Sequence, residues 1–243
     1  MRTPGTLRNA LLLALLVALP FGAQAQKRIK TENLPNFDLA TFHFGFLLSY
    51  NTADFFVERK PFDPAVDTLL VLDHVKQPGF NLGIISSLNM TPNLSLRFMP
   101  TLSFQDRQLQ YTFIKGSGKS TVFTKQVEST YLEFPLLLKL RSDRINNFAV
   151  YLVAGGKFSM DMASQKDVNN AIDDEIVVKL QRTDYSAEVG GGMDMFLPYF
   201  KFGVELKMGI GIPNLSIDDG TRFSEPIQSL RSKSYFLTFT FEG

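Results

Sequence analysis

The sequence has no cysteine, no tryptophan and only two histidines, and its charge is nearly balanced, with 25 basic against 24 acidic residues. Without cysteine there is no disulfide framework, thiolate metal cluster or thiol nucleophile. Balanced charge argues against nucleic acid, whose recognition favours a concentrated basic surface. Long hydrophobic runs are also scarce. The mean hydropathy of +0.01 is too polar for a bundle of membrane helices, each needing about 20 consecutive apolar residues. What the chain does have is 243 residues, enough for one large domain or two small ones, and 23 phenylalanines.

The one apolar run lies at the start. Arg2 and Arg8 precede Ala10–Leu19, followed by Pro20, Gly22 and Ala23-Gln24-Ala25. A basic start, a short apolar core and a small-x-small site make a secretory signal peptide, with cleavage expected between Ala25 and Gln26. An uncleaved anchor is disfavoured because the run is too short and ends at Pro20. Loss of Arg2 and Arg8 takes the formal charge from +1 to −1, because the leader has no acidic residue. The expected division is a signal peptide at 1–25, a periplasmic leader at 26–40 and a barrel domain at 41–243.

Beyond residue 40 the dominant hydrophobic period is two, that of strands with differently solvated faces. Over 200–210, Phe200, Phe202, Val204, Leu206, Met208 and Ile210 share one face, and Lys201, Gly203, Glu205, Lys207 and Gly209 the other. Comparable segments run over Thr41–Tyr50, Gly79–Asn89, Asn93–Gln105, Gln126–Arg141, Phe148–Phe158, Thr183–Phe196 and Lys233–Glu242, giving eight strands. The choice lies between a secreted lipocalin-like barrel, apolar inside, and a membrane barrel, apolar outside. Volume decides. Eight strands enclose an interior just wide enough for side chains, which the Phe and Leu faces would overfill and the glycines and charges would fit. The expected fold is therefore an all-β, eight-stranded antiparallel up-and-down transmembrane barrel.

Connections alternate long and short: Asn51–Pro78, Met90–Pro92, Asp106–Lys125, Ser142–Asn147, Ser159–Arg182, Leu197–Tyr199 and Gly211–Ser232. Outer-membrane barrels alternate in this way between external loops and periplasmic turns, which places both termini in the periplasm.

Five basic residues, Arg97, Lys139, Lys157, Lys201 and Lys207, and five acidic ones, Glu133, Glu188, Asp194, Glu205 and Glu242, fall on the inner faces. Equal numbers imply a mutually neutralising network that fills the lumen, because unpaired buried charge is costly. A conducting pore is not expected.

Other motifs carry less. Gly116-Ser117-Gly118-Lys119-Ser120 resembles the end of a phosphate-binding loop, yet Phe113 stands where that loop needs glycine and no helix follows. His43 on the first strand and Asp73-His74 in the first loop lack a Gly-x-Ser-x-Gly context. Asp173-Asp174-Glu175 and Asp218-Asp219-Gly220 lack the alternating spacing of a calcium loop, and read as solvated loop charges. Lys27-Arg28-Ile29-Lys30 reads as a solvated leader. No catalytic residue, cofactor site or metal site is expected.

The segment Tyr131-Leu132-Glu133-Phe134-Pro135-Leu136-Leu137-Leu138-Lys139, on the fourth strand, resembles the Tyr-x-Glu-apolar-Pro-Leu-Leu-x-Lys strand of the PorT family of outer-membrane barrels from Bacteroidota. The resemblance extends over 35–243 and includes Val189-Gly190-Gly191-Gly192-Met193-Asp194. It implies a non-enzymatic accessory component of type IX secretion, needed to export and attach cargo, often alongside gliding motility. The implied partners are outer-membrane lipid and other type IX components. From the residues alone, a structural or adhesive barrel and a lipid-modifying enzyme stay open as alternatives.

Overall fold

Alternating apolar and polar residues pair edge to edge until the sheet closes on itself. The computed structural model describes residues 32–61, 69–114, 120–163, 178–221 and 223–243. The expected cleavage site at Ala25 and Gln26, the basic Lys27–Lys30 segment, the Gly116–Lys119 part of the glycine loop and Asp173–Glu175 lie outside them. The strands are β1 (Phe42–Arg59), β2 (Leu69–Asn89), β3 (Leu94–Phe98), β4 (Thr101–Ile114), β5 (Ser120–Arg141), β6 (Phe148–Asp161), β7 (Thr183–Phe196), β8 (Lys201–Gly211) and β9 (Ile227–Glu242). Every pairing is antiparallel, and β1 bonds to both β2 and β9. Both β3 and β4 lie between β2 and β5. They are one stave interrupted at Met99-Pro100, where the proline has no N–H for the ladder. Eight staves therefore close an up-and-down barrel, and closure satisfies backbone groups that lipid could not.

The outer surface is apolar. Phe42, Phe44, Phe46, Tyr50, Ile84, Leu152 and Leu206 are all more than half exposed. Cross-strand ring pairs join the staves, among them Phe46 with Phe241 and Phe80 with Phe104, each at 4.7 Å. In water such a band would be a large exposed hydrophobic patch; in hydrocarbon it is the solvated face.

Five strands run well past their expected ends. Residues Asn51–Arg59, Leu69–Pro78, Asp106–Ile114, Ser120–Lys125 and Ile227–Ser232, expected in loops, are strand. Because β4 ends at Ile114 and β5 begins at Ser120, strict long and short alternation does not hold there. The physical reason is that the pleat continues while its polarity inverts. Along β4, inward Thr101, Ser103, Gln105 and Arg107 give way to inward Leu109, Tyr111 and Phe113, while the opposite face becomes Gln108, Gln110 and Thr112. Beyond the membrane the outside is water, so the apolar face turns in. Phe55, Leu69, Leu109, Tyr111, Phe113, Val127, Leu215, Phe223 and Leu230 form an apolar plug in this upper part.

At the other end the chain closes its own barrel. The compact unit comprises Glu32–Gly243, so residues from the expected leader belong to it. Asn33 donates its backbone N–H to Asn147 Oδ1 (2.8 Å) and its amide to the Phe196 carbonyl (2.9 Å). A 3-10 turn over Phe37–Leu39 stacks the Phe37 ring on His43 at 3.7 Å. Asp38 is clamped by Arg141 (2.7 Å) and Arg144 (2.6 Å). Leu34 holds φ of 50°, a left-handed conformation rare for a branched side chain. Arg144 fixes it by donating to the Asn33 and Leu34 carbonyls, and the leucine packs on Phe37, Ala149 and Phe196.

Candidate functional site

The inward face of a strand is set by its period of two, and the cross-strand register then decides which inward charges meet. All ten residues of the charge set are buried, none more than 9% exposed. Eight form one chain of alternating sign. Lys201 pairs with Glu242 (2.9 Å), Glu242 with Arg97 (3.3 Å), and Arg97 with Glu205 (2.8 Å). Glu205 continues to Lys207 (3.4 Å), Lys207 to Glu188 (3.3 Å), Glu188 to Lys157 (3.2 Å) and Lys157 to Glu133 (2.9 Å). Arg97 on β3 reaches across the lumen to β8 and β9, and from Lys207 the chain follows the neighbouring strands β8, β7, β6 and β5.

Lys139 and Asp194 form a separate pair, at 2.7 Å and 3.0 Å to the two carboxylate oxygens. The ammonium also sits 3.6 Å over the Tyr151 ring, a favourable placement of a cation on a π face. Gly192 makes room for that ring. It is the cross-strand partner of Tyr151, and a Cβ there would lie 2.7 Å from the phenol carbon and oxygen.

The network continues through residues that the sequence reading left out. Gln105 donates to Glu133 (3.1 Å) and accepts from Arg107 (2.8 Å), which also donates to the Tyr131 hydroxyl (2.9 Å). Asn51, Asn81 and Ser103 bond to one another, with Ser103 donating to Asn81 at 2.8 Å. Asp161 and Asp184 are also buried. Arg107 and Asp161 were hidden because the period was cut short at loops that are strand. The available signal was continued alternation of Gln105, Arg107 and Leu109 against Phe104, Asp106 and Gln108.

Little space is left over. Two internal cavities, one beside Arg107, Tyr131 and Asp184 and one beside Ser49, Asn81 and Thr238, measure about 10 Å³ each. That is room for about one water apiece. Met99, Leu137, Tyr151 and Val153 pack between the charged layers as an apolar cluster with Leu47 and Ile85.

The two histidines stand apart. His43 lies at the capped end under Phe37. His74, expected in a loop, is on β2, because β2 begins at Leu69. Its Nδ1 lies 2.6 Å from Asp54, close to Ala53 and Gln77, the last paired residues of β1 and β2. Among the described residues no hydroxyl bonds to its ring. In the Asp218-Asp219-Gly220 turn, Asp218 accepts from the Gly220 N–H (3.1 Å) and pairs with Lys60 (3.2 Å), which together hold its carboxyl below the usual range. Asp219 accepts from Ser224 (2.7 Å) and Thr221 (2.8 Å).

Solved structures to which this chain is similar include OprG from Pseudomonas aeruginosa, at 13% identity, covering 82% of this chain and 95% of that one with a TM-score of 0.45. Neisserial surface protein A follows at 11% identity, 82% and 96% coverage and a TM-score of 0.40. Ail, the attachment invasion locus protein of Yersinia pestis, gives 12%, 84%, 100% and 0.38. No curated protein sequence matches. The sequence model of the outer membrane protein beta-barrel domain matches residues 23–216, most of the chain, and with the closed, lipid-faced barrel around this filled lumen it places the protein in that family of outer-membrane β-barrels.

Proposed function

We propose that this barrel is a non-enzymatic accessory component of type IX secretion in the outer membrane, with both termini in the periplasm, acting through its rim, loops and lipid-facing surface. The observation that carries the reading is the filled lumen. Among the described residues, cavities of about 10 Å³, an apolar plug at one end and the Asp38 clamp at the other leave no room for a water column, which supports a role other than permeation. The Tyr131–Lys139 strand, which resembles that of the PorT family, points to secretion. The two histidines share no site: His74 is paired with Asp54, and His43 lies at the opposite end of the barrel.

The orientation rests on connection lengths. The connections 60–68, 115–119, 162–182 and 212–226 are at the plug end, three of them longer than any of 90–93, 142–147 and 197–200 at the end shared by both termini. Short turns belong to the periplasmic side. The test is deletion of the chromosomal gene with comparison of secreted and periplasmic proteins. Cargo trapped in the cell supports the reading, and normal export turns it toward a structural or adhesive barrel. His43→Ala with His74→Ala, in an assembled barrel, is expected to leave export intact.

A further inference from the structure

The lipid-facing wall has a groove of about 560 Å³, lined by Tyr50, Thr52, Leu206, Met208, Tyr235 and Leu237. The register explains it. Val189, Met208, Tyr235 and Thr52 form one row across β7, β8, β9 and β1, and Gly191, Leu206, Leu237 and Tyr50 form the next. Small Gly191 and Thr52 leave a trough between the bulky members. One row nearer the plug end stand Ile210, Lys233 and Asp54. The Lys233 ammonium lies 5.4 Å from the Tyr235 ring centre, and that of Lys76, from β2, lies 5.7 Å from the same ring. Among the described residues neither lysine has a carboxylate within ion-pairing distance. Arg231, the next residue of β9 in that alternation, is exposed.

The five cations of the lumen charge set are paired with carboxylates, and at the capped end Arg141 and Arg144 are paired with Asp38. Here two ammonium groups lie near one tyrosine at the head of an apolar trough, and the carboxylate of their row, Asp54 opposite Lys233, is buried and engaged by His74 at 2.6 Å. We propose that this is a binding site for one phosphorylated glycolipid of the outer leaflet, its phosphate held between Lys76 and Lys233 and an acyl chain laid in the groove below Tyr235. The site rests on the orientation above, which puts the lysines at the outer boundary, where the leaflet presents phosphate. Each basic residue near an anionic lipid surface adds attraction that charge removal abolishes, and the trough adds apolar contact that a flat wall lacks.

The test is native mass spectrometry of the full mature barrel in detergent with bisphosphoryl lipid A, and with phosphatidylglycerol in parallel. The expected result is one retained lipid A per barrel, with phosphatidylglycerol bound more weakly. Removing both charges, in Lys76→Gln/Lys233→Gln, should weaken lipid A about thirtyfold. Thr52→Phe, which fills the trough and leaves the charges, should also weaken it. Both variants are checked for heat-modifiable gel mobility, so loss of folding is read separately. Equal binding by wild type and the double lysine variant, equal binding of phosphatidylglycerol, or a protein dimer in place of the lipid adduct would overturn the proposal. None of these outcomes bears on cargo export.

Discussion

Lys139 and Asp194 isolate what one buried charge is worth, because the pair stands outside the eight-residue chain. Lys139→Met leaves a carboxylate without its cation in a dry interior, which costs about 3–5 kcal/mol, whereas replacing both partners by apolar residues is often close to neutral. The expected outcome is a strong loss of urea resistance in Lys139→Met and recovery of most of it in Lys139→Met/Asp194→Leu, read by the folded fraction on unheated gels. Equal losses in the two would mean that the pair is not mutually dependent. On the outer face, Val204→Arg places a guanidinium in hydrocarbon and should cost about 2–4 kcal/mol near the midplane. Assembly yield checks it: Val204→Arg should fail more often than Glu205→Leu. The opposite order would invert the two faces.

At the scale of the strand, polarity inverts along an unbroken pleat. In β4 the inward residue is polar up to Arg107 and apolar from Leu109, because the solvent outside changes from lipid to water while the core inside persists. Tyr111→Lys should therefore unfold the upper part of the β4–β5 hairpin, while Gln110→Lys on the watered face should be silent. Hydrogen exchange of the amides of 107–114 and 120–127 measures it. Protection unchanged in Tyr111→Lys would contradict the inversion.

The same inversion explains what could be read from the sequence. Membrane-height strands were legible because a period of two with bulky residues on one side has one solution in lipid. Inward parity at membrane height follows from the outward phenylalanines and picks out ten buried charges, but not Arg107 and Asp161, which lie on strand that reads as loop. The extended ends were not legible: Asn51–Arg59 and Asp106–Ile114 carry charges on the face that had been apolar, and read as the end of a strand. His74 was misplaced for that reason. The Phe37–His43 stack and the Asp38 clamp were also invisible, because a nine-residue stretch without alternation gives no period from which to infer docking.

For the whole molecule, the account depends on a lumen that is closed along its length. The apolar plug, the crosswise ion-pair chain and the N-terminal cap are three seals in series, built from different segments of the sequence. Among the described residues they leave lumen cavities of about 10 Å³ beside Arg107 and beside Asn81. The most direct measurement is the conductance of the purified wild-type mature protein in planar lipid bilayers, after its insertion has been verified by heat-modifiable mobility. A filled barrel predicts a baseline without stepwise currents across physiological voltages. Large, stable, voltage-independent conductance steps from the inserted wild-type barrel would contradict it, and would return the protein to the class of open porins.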